Sequence, residues 1–169
     1  MQNRTREITM MAVFIAMVFV ATNIRILIPV ALGTGGLVHL GTLVMFAIAL
    51  KYGKVFGAVA GGVGMMLFDL FSEWAIWAPG TLVVRLLAGF VIGYIAYSQL
   101  GQGKSAIKNV IALLLGSVII IVGYFIFEAV FLGVGWVAVG SIPGNVVQIV
   151  IGFFALWILP SLPDLKEEV

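Results

Sequence analysis

Long, almost uninterrupted runs of apolar residues cover most of this sequence. Of its 169 residues, 63% are hydrophobic and 9% are charged, and the mean hydropathy is +1.23, whereas soluble domains carry roughly 25% charged residues. Such a composition predicts an all-α integral membrane protein. At roughly 20 residues per crossing, the length suffices for about six transmembrane helices and short connections. We therefore treat residues 1–169 as a single domain, a compact six-helix bundle.

Residues that favour turns separate the apolar runs. Pro29 begins a glycine-rich loop, Lys51–Lys54 form a tight turn, and Pro160 ends the last run. On the other side we expect loops over Ser72–Gly80 and Gly133–Gly144. The expected helices are Ile8–Ile28, His39–Leu50, Val55–Leu70, Thr81–Leu100, Ala106–Leu132 and Asn145–Leu159. The second is short for a crossing, so the loop before it is expected to dip into the membrane.

The basic residues indicate the orientation of the bundle. Seven of the nine lie on one side when the runs alternate in direction, and these are Arg4, Arg6, Lys51, Lys54, Lys104, Lys108 and Lys166. Basic residues accumulate in cytoplasmic loops. We therefore expect a multi-pass protein of the cell membrane with both termini in the cytoplasm.

The ionisable residues inside the apolar runs gather toward the opposite, outer end. They are Arg25, Asp69, Glu73, Arg85 and Glu128, with His39, Asn145 and Gln148 beside them. Ionisable side chains are costly in hydrocarbon and usually serve a function there. We therefore predict a small-molecule site close to the outer surface. For Arg25 and Glu73, snorkelling at a helix end is an equally good explanation, whereas Arg85 and Glu128 lie about a turn inside their runs.

Opposite charges at similar depth suggest ion pairs. Arg85 is expected to pair with Glu128, and Arg25 with Asp69. A structural alternative stays open, because a satisfied Arg85–Glu128 pair would clamp two helices together whether or not a solute binds.

Aromatic and amide side chains lie near the same cluster. Trp74, Trp77, Trp136 and Tyr124 are placed to stack on a flat heterocycle, although Trp and Tyr also form belts at membrane interfaces without any ligand. Asn145 and Gln148 are three residues apart and share a helix face. His39 is a candidate contact or a hydrogen-bonded residue at a helix end. No spacing of His or carboxylate residues is typical of a metal site.

Pairs of small residues four apart let helix backbones approach closely. Gly57 with Gly61 and Gly89 with Gly93 are expected to serve packing inside the bundle. Ala12 and Ala16 lie on the first helix, which can sit at the edge of a bundle. This pair is therefore a candidate for docking another protein.

Four short runs of this sequence resemble a known family. They are Gly35–Gly41, Lys51–Gly57, Ala60–Gly64 and Phe68–Leu70. With the six-helix layout, they make the chain similar to the substrate-binding S components of energy-coupling factor (ECF) vitamin transporters, most strongly from Gly35 to Tyr94. Within that family it most resembles members linked to riboflavin, pyridoxine or the hydroxymethylpyrimidine precursor of thiamine.

The resemblance implies a binding protein that docks on a transmembrane T component and two cytoplasmic ATPases. ATP would be used by those partners, so no cofactor is expected in this chain. Family members contact the T component through small residues on the first helix, which Ala12 and Ala16 match. Family ligands are held by the outer halves of the last three helices and by outer loops, which corresponds here to Arg85, Tyr124, Glu128, Asn145, Gln148 and Trp74.

We therefore expect this chain to capture a vitamin or vitamin precursor outside and to deliver it inward by reorienting in the membrane, with pyridoxine or hydroxymethylpyrimidine favoured over riboflavin. The alternatives are an autonomous secondary transporter or channel, and an intramembrane enzyme. An enzyme would need a nucleophile with a base, or a metal cluster, and a single histidine argues against one. Gly101–Ser105 ends like a phosphate-binding loop, but Ser98 occupies the position where that loop requires glycine.

Overall fold

The computed structural model describes residues 2–27, 37–98 and 103–164, and most of these residues are helical. The α-helices are α1 (Gln2–Asn23), α2 (Gly41–Tyr52), α3 (Lys54–Leu70), α4 (Ala78–Ala96), α5 (Ala106–Ile126), α6 (Ile142–Gly152) and α7 (Ala155–Ile158). Helix α5 continues as a π-helix over Phe127–Phe131. Short 3-10 helices cover Ala75–Trp77, Gly135–Ser141 and Leu159–Ser161. Two strands, β1 (Arg25–Leu27) and β2 (Leu37–His39), pair antiparallel.

Several helical stretches are long and apolar enough to cross a membrane, which confirms a helical membrane protein. They are Arg4–Asn23, Ala75–Ala96, Ala106–Phe131 and Gly135–Ser161, and Gly41–Tyr52 is a shorter apolar helix. Many large apolar side chains, such as Val83, Leu87 and Ile107, point out of the bundle. In a membrane these side chains face lipid, so their exposure stabilises insertion.

The helices alternate in direction and define two ends of the molecule. At the end that we call the terminal end, Lys51 forms an ion pair with Asp164 at 2.7 Å, and the Tyr52 hydroxyl donates to the Pro163 carbonyl oxygen at 3.1 Å. Glu7 of α1 lies at the same end, beside Lys54. At the other end, which we call the pocket end, the β1–β2 ribbon follows α1. The side of the membrane that each end faces stays a prediction.

Helix α1 ends earlier than predicted. The first span was expected to reach Ile28, but α1 ends at Asn23, whose side-chain amide donates to the Phe19 carbonyl oxygen at 2.8 Å. The backbone beyond it hydrogen-bonds to β2, with Arg25 opposite His39. A strand partner therefore replaces the helical bonds that a longer α1 would make. Several predicted features lie outside the described residues, namely the glycine-rich loop at Pro29, Gly33, Gly35 and Gly36, the end of the fourth span at Leu100, and Lys166.

Two predicted loops are shorter than expected because proline lies inside the first turn of a helix. Helix α4 begins at Ala78, so Pro79 belongs to it. Helix α6 likewise begins at Ile142 and includes Pro143. Proline is tolerated there because the first backbone N–H groups of a helix have no intrahelical acceptor. The last predicted helix, Asn145–Leu159, is also interrupted, since α6 ends at Gly152 and α7 is a separate turn.

Four glycines, which we call the glycine seam, bring α2, α3 and α4 into close contact. They are Gly57, Gly61, Gly89 and Gly93. A methyl group on Gly89 would lie 2.5 Å from the Gly57 carbonyl oxygen and 2.8 Å from the Ala58 nitrogen. One on Gly93 would collide with the backbone of Lys54. At Gly89 and Gly93 the seam is therefore a contact between backbones, whereas methyl groups on Gly57 and Gly61 would meet Ala49 and the Met45 side chain of α2. The seam packs the inside of the bundle as predicted.

Candidate functional site

A partly enclosed cavity lies at the pocket end, between the helices and the β1–β2 ribbon. The volume of this cavity, taken as the space open to the centre of a water-sized sphere, is about 60 Å³. Its walls consist of Leu37, His39, Met65, Asp69, Trp74, Trp77, Thr81, Arg85, Tyr124, Glu128, Ser141, Asn145 and Gln148. All eight residues predicted to bind solute are among them. The structure thus brings together side chains from β2, α3, α4, α5 and α6, and their role in binding stays a prediction.

Arg85 holds several walls of the cavity together. Its side chain is 1% exposed, its Nε donates to the Tyr124 hydroxyl at 3.2 Å, and its Nη1 donates to the Thr42 hydroxyl at 2.9 Å. With the Gln148 amide oriented so that its oxygen faces Arg85, that oxygen accepts from Arg85 Nη2 at 2.5 Å and the amide nitrogen donates to the Leu37 carbonyl oxygen at 3.1 Å. This network joins α2, α4, α5, α6 and β2, so it fixes the shape of the cavity.

The predicted ion pairs are wrong. Arg85 donates to uncharged oxygens and does not pair with Glu128. Arg25 does not pair with Asp69, because its guanidinium bonds both carboxylate oxygens of Glu73, at 2.9 and 3.4 Å. Which side chains pair depends on the direction in which each helix face points. The depth of a residue along its helix does not reveal that direction. The backbone N–H of Glu73 and the guanidinium of Arg25 both hydrogen-bond the Glu73 carboxyl. They hold the pKa of this carboxyl below its usual range.

Glu128 reaches the cavity from the π-helix at the end of α5. Its side chain is 3% exposed, and the Trp77 indole N–H donates to its Oε1 at 3.2 Å. The hydroxyl of Ser141 lies beside the same carboxylate. Single π-helical turns are frequent at functional sites, because the wider turn changes where a side chain points.

Four buried polar atoms in the cavity wall have no hydrogen-bond partner. They are His39 Nδ1, Asp69 Oδ2, Trp74 Nε1 and Glu128 Oε2. A buried polar atom without a partner costs about 1–3 kcal/mol, so such atoms call for an explanation. In the described part of the chain, Asn109 Oδ1 is the other such side-chain atom, and it lies outside this cavity. Four of these five orphaned atoms therefore belong to residues that line this cavity.

Sequence reasoning left four polar or sulfur-containing wall residues out of the predicted site. Asp69 was noticed but assigned to an ion pair, and its place one turn before Glu73 in the polar cluster was the signal for it. Thr81, Ser141 and Met65 have no signal in the sequence, since such residues are common in membrane helices. The structure adds them because α3, α4 and the 3-10 helix before α6 turn these faces inward.

Other predicted residues lie away from the cavity. Trp136 is 83% exposed, its ring centroid lies 6.0 Å from that of Phe125, and it does not line the cavity. Ala12 and Ala16 are exposed on α1, whose opposite face buries Phe14 and Val18. The two alanines therefore form part of a smooth outer face of the bundle.

The chain is similar to one protein family and to two individual proteins. A family model described as "ECF-type riboflavin transporter, S component" matches residues 2–161. An uncharacterised protein of Pyrococcus woesei is 29% identical over 131 residues, which cover 78% of this chain and 84% of that protein. The thiamine precursor transporter HmpT of Lactococcus lactis subsp. cremoris is 24% identical over 157 residues, or 93% of this chain and 87% of that protein.

Proposed function

Because this chain belongs to the family of ECF-type riboflavin transporter S components, we propose that the cavity at its pocket end captures one small vitamin or vitamin precursor outside the cell for delivery inward. Membership makes the chain a membrane-embedded transport protein of a family that is not one of enzymes. It also implies partners of the ECF type, a transmembrane T component and ATPases. The solute and the side of the membrane that the cavity faces are part of the proposal.

The size of the cavity is the observation that favours a solute with a single ring. One water needs about 10–15 Å³ of room for its centre, so about 60 Å³ holds roughly four to six waters. At about 30 Å³ of liquid per water, this corresponds to a solute of roughly 120–180 Å³. A single substituted ring has this volume, whereas riboflavin, with its fused three-ring system and ribityl chain, is much larger.

The relative from Lactococcus lactis favours one candidate among the single rings. It is described as a thiamine precursor transporter, and its similarity covers nearly the whole chain. Hydroxymethylpyrimidine is the ring precursor of thiamine and carries both an amino group and a hydroxymethyl group. We therefore place hydroxymethylpyrimidine first, pyridoxine second and riboflavin third.

The walls suggest a role for each group of residues. Glu128 accepts from hydroxyl or amino groups, and Asn145 bonds hydroxyl groups or ring nitrogens. Trp77, whose ring centroid is 5.0 Å from that of Trp74, covers the face of the ring. His39 contributes a ring nitrogen from β2. Arg85, Tyr124 and Gln148 act through the network that holds the walls, which supports a positioning role for them.

Solute titrations of the purified protein test this proposal. Isothermal calorimetry in lipid nanodiscs is expected to give the tightest binding for hydroxymethylpyrimidine, weaker binding for pyridoxine and the weakest for riboflavin. Native mass spectrometry of freshly purified protein is expected to show a copurified ligand of the same class. Tighter binding of riboflavin than of either single ring would overturn the choice of solute.

Transport assays test the dependence on partners. We propose that the exposed face at Ala12 and Ala16 docks on the T component, because small residues let another helix approach closely. Uptake into vesicles is expected to require the partner module and ATP, and Ala16→Leu is expected to abolish uptake but leave solute binding intact. Uptake by this chain alone in vesicles without ATP would show an autonomous transporter instead.

A further inference from the structure

Two carboxylates line the cavity without an ion pair to a basic side chain. Asp69 on α3 is 5% exposed, and Glu128 on the π-helix that continues α5 is 3% exposed. Each has a donor beside one of its oxygens, the Thr81 hydroxyl for Asp69 and the Trp77 indole for Glu128. The second oxygen of each is buried and has no partner. Two strong hydrogen-bond acceptors from two different helices therefore line the same small cavity.

Arg85 is the one lysine or arginine among the described residues that line this cavity. Its N–H groups are directed at Tyr124, Thr42 and Gln148, so they bind protein oxygens instead of pointing at an incoming anion. Removing Arg85 from that network would leave several buried groups without partners. The carboxylates therefore outnumber the cations, and the available cation is already engaged.

We propose that Asp69 and Glu128 act as a pair of acceptors, which bind two amino or hydroxyl groups of a one-ring solute and exclude the phosphate ester of that solute. This inference rests on the proposed function and specifies the chemistry of the same site. The free alcohol satisfies both orphaned oxygens, and Trp74 Nε1 donates to a ring nitrogen. The ester replaces one donor with an anion.

The cost of the ester follows from charge and burial. A phosphate beside two buried carboxylates is repelled, because like charges placed together disfavour binding. The anion would also lose its hydration without gaining a cation. A solute that is phosphorylated outside the cell must therefore lose its phosphate before it can be captured, and any phosphorylation that the cell needs must follow entry.

Binding of hydroxymethylpyrimidine and of its monophosphate ester, measured by calorimetry on the same purified protein, tests the inference. Wild type is expected to bind the ester at least about a hundredfold more weakly than the alcohol. Asp69→Asn and Glu128→Gln are each expected to weaken binding of the alcohol about tenfold or more. Both variants should also discriminate less against the ester, since each removes a negative charge.

Matched controls and fold checks accompany these variants. Asp164→Asn and Glu7→Gln make the same substitutions at exposed positions of the terminal end, and they should bind like wild type. Thermal unfolding reports whether a variant is folded. Where a cavity variant is not folded, the comparison of alcohol and ester on wild type decides by itself.

The outcomes separate this inference from the proposed function. Binding of alcohol and ester within about tenfold of each other overturns the inference and leaves the proposed function standing. Normal binding of the alcohol by both folded cavity variants does the same. Folded wild type that binds no single-ring alcohol overturns both.

Discussion

The glycine seam and the cavity are built from the same faces of the same two helices. On α3, Gly57, Gly61, Met65 and Asp69 follow one another at intervals of four residues, and on α4 the series is Thr81, Arg85, Gly89 and Gly93. Residues four apart share a helix face. Each face therefore changes along its length from glycine, where backbones touch, to polar side chains around a space.

This difference suggests a structural role for the glycine seam and a binding role for the cavity. In the seam, a methyl group on Gly89 has no room, because backbone atoms of α3 lie within 2.5–2.8 Å of it. In the cavity, atoms of Asp69 and Glu128 lack partners. Tight packing at one end of α3 and α4 can hold the polar ends of these helices apart at a fixed distance. Substitutions in the seam should therefore change stability, whereas substitutions in the cavity should change binding.

Gly89→Ala should have the largest effect on stability. Overpacking costs about 3 kcal/mol or more where backbone atoms cannot move aside, and alanine returns about 1 kcal/mol through its better helix propensity. We expect a net loss of at least about 2 kcal/mol, measured as a lower midpoint of thermal unfolding. Gly116→Ala is the comparison, because its methyl group would meet side-chain atoms of Ile92 and would lie 3.7 Å from the Ala88 carbonyl oxygen, so it should lose less stability than Gly89→Ala. Equal midpoints for the two variants would contradict a backbone seam.

Thr42→Val should have an intermediate effect that reaches both regions. Thr42 is fully buried on α2, and its hydroxyl accepts from Arg85 at 2.9 Å. Valine has nearly the same shape but leaves an Arg85 N–H without a partner, so we expect a loss of about 1.5 kcal/mol. Solute affinity should fall as well, because Arg85 fixes the cavity walls. Thr9→Val on the exposed face of α1 should change neither quantity, and an unchanged affinity in Thr42→Val would remove the positioning role of Arg85.

Trp77→Phe should have the smallest effect, which is measured as solute binding. It keeps an aromatic ring but removes the N–H that donates to Glu128 at 3.2 Å. Losing one hydrogen bond to a carboxylate that we propose contacts the solute should weaken binding by about 1 kcal/mol, or about fivefold. Trp157→Phe changes an indole that is 80% exposed and should bind normally. Calorimetry distinguishes the two variants, and identical affinities would show that this bond does not matter for capture.

Most of the fold, and most of the residues that line the cavity, could be predicted from the sequence. Hydropathy located the helices because lipid requires every crossing to satisfy its backbone polar groups within the segment. Alternating helix direction placed His39, Arg85, Glu128 and Gln148 at one end, and the structure puts all four in one cavity wall. The helix ends were less predictable, as α1 and α4 show, because strand pairing and tolerated prolines shift them by a few residues.

By itself, then, the sequence determined the class of the protein and the end of the bundle where its polar residues lie, since both depend on the order of residues along each helix. Only the tertiary structure decided which groups meet. It paired Arg25 with Glu73, engaged Arg85 with neutral oxygens, and left oxygens of Asp69 and Glu128 without partners. The physical reason is that hydrogen bonds and ion pairs depend on distances of a few ångströms between different helices. Those distances follow from how each helix is rotated and packed, which the hydropathy of a single helix does not specify.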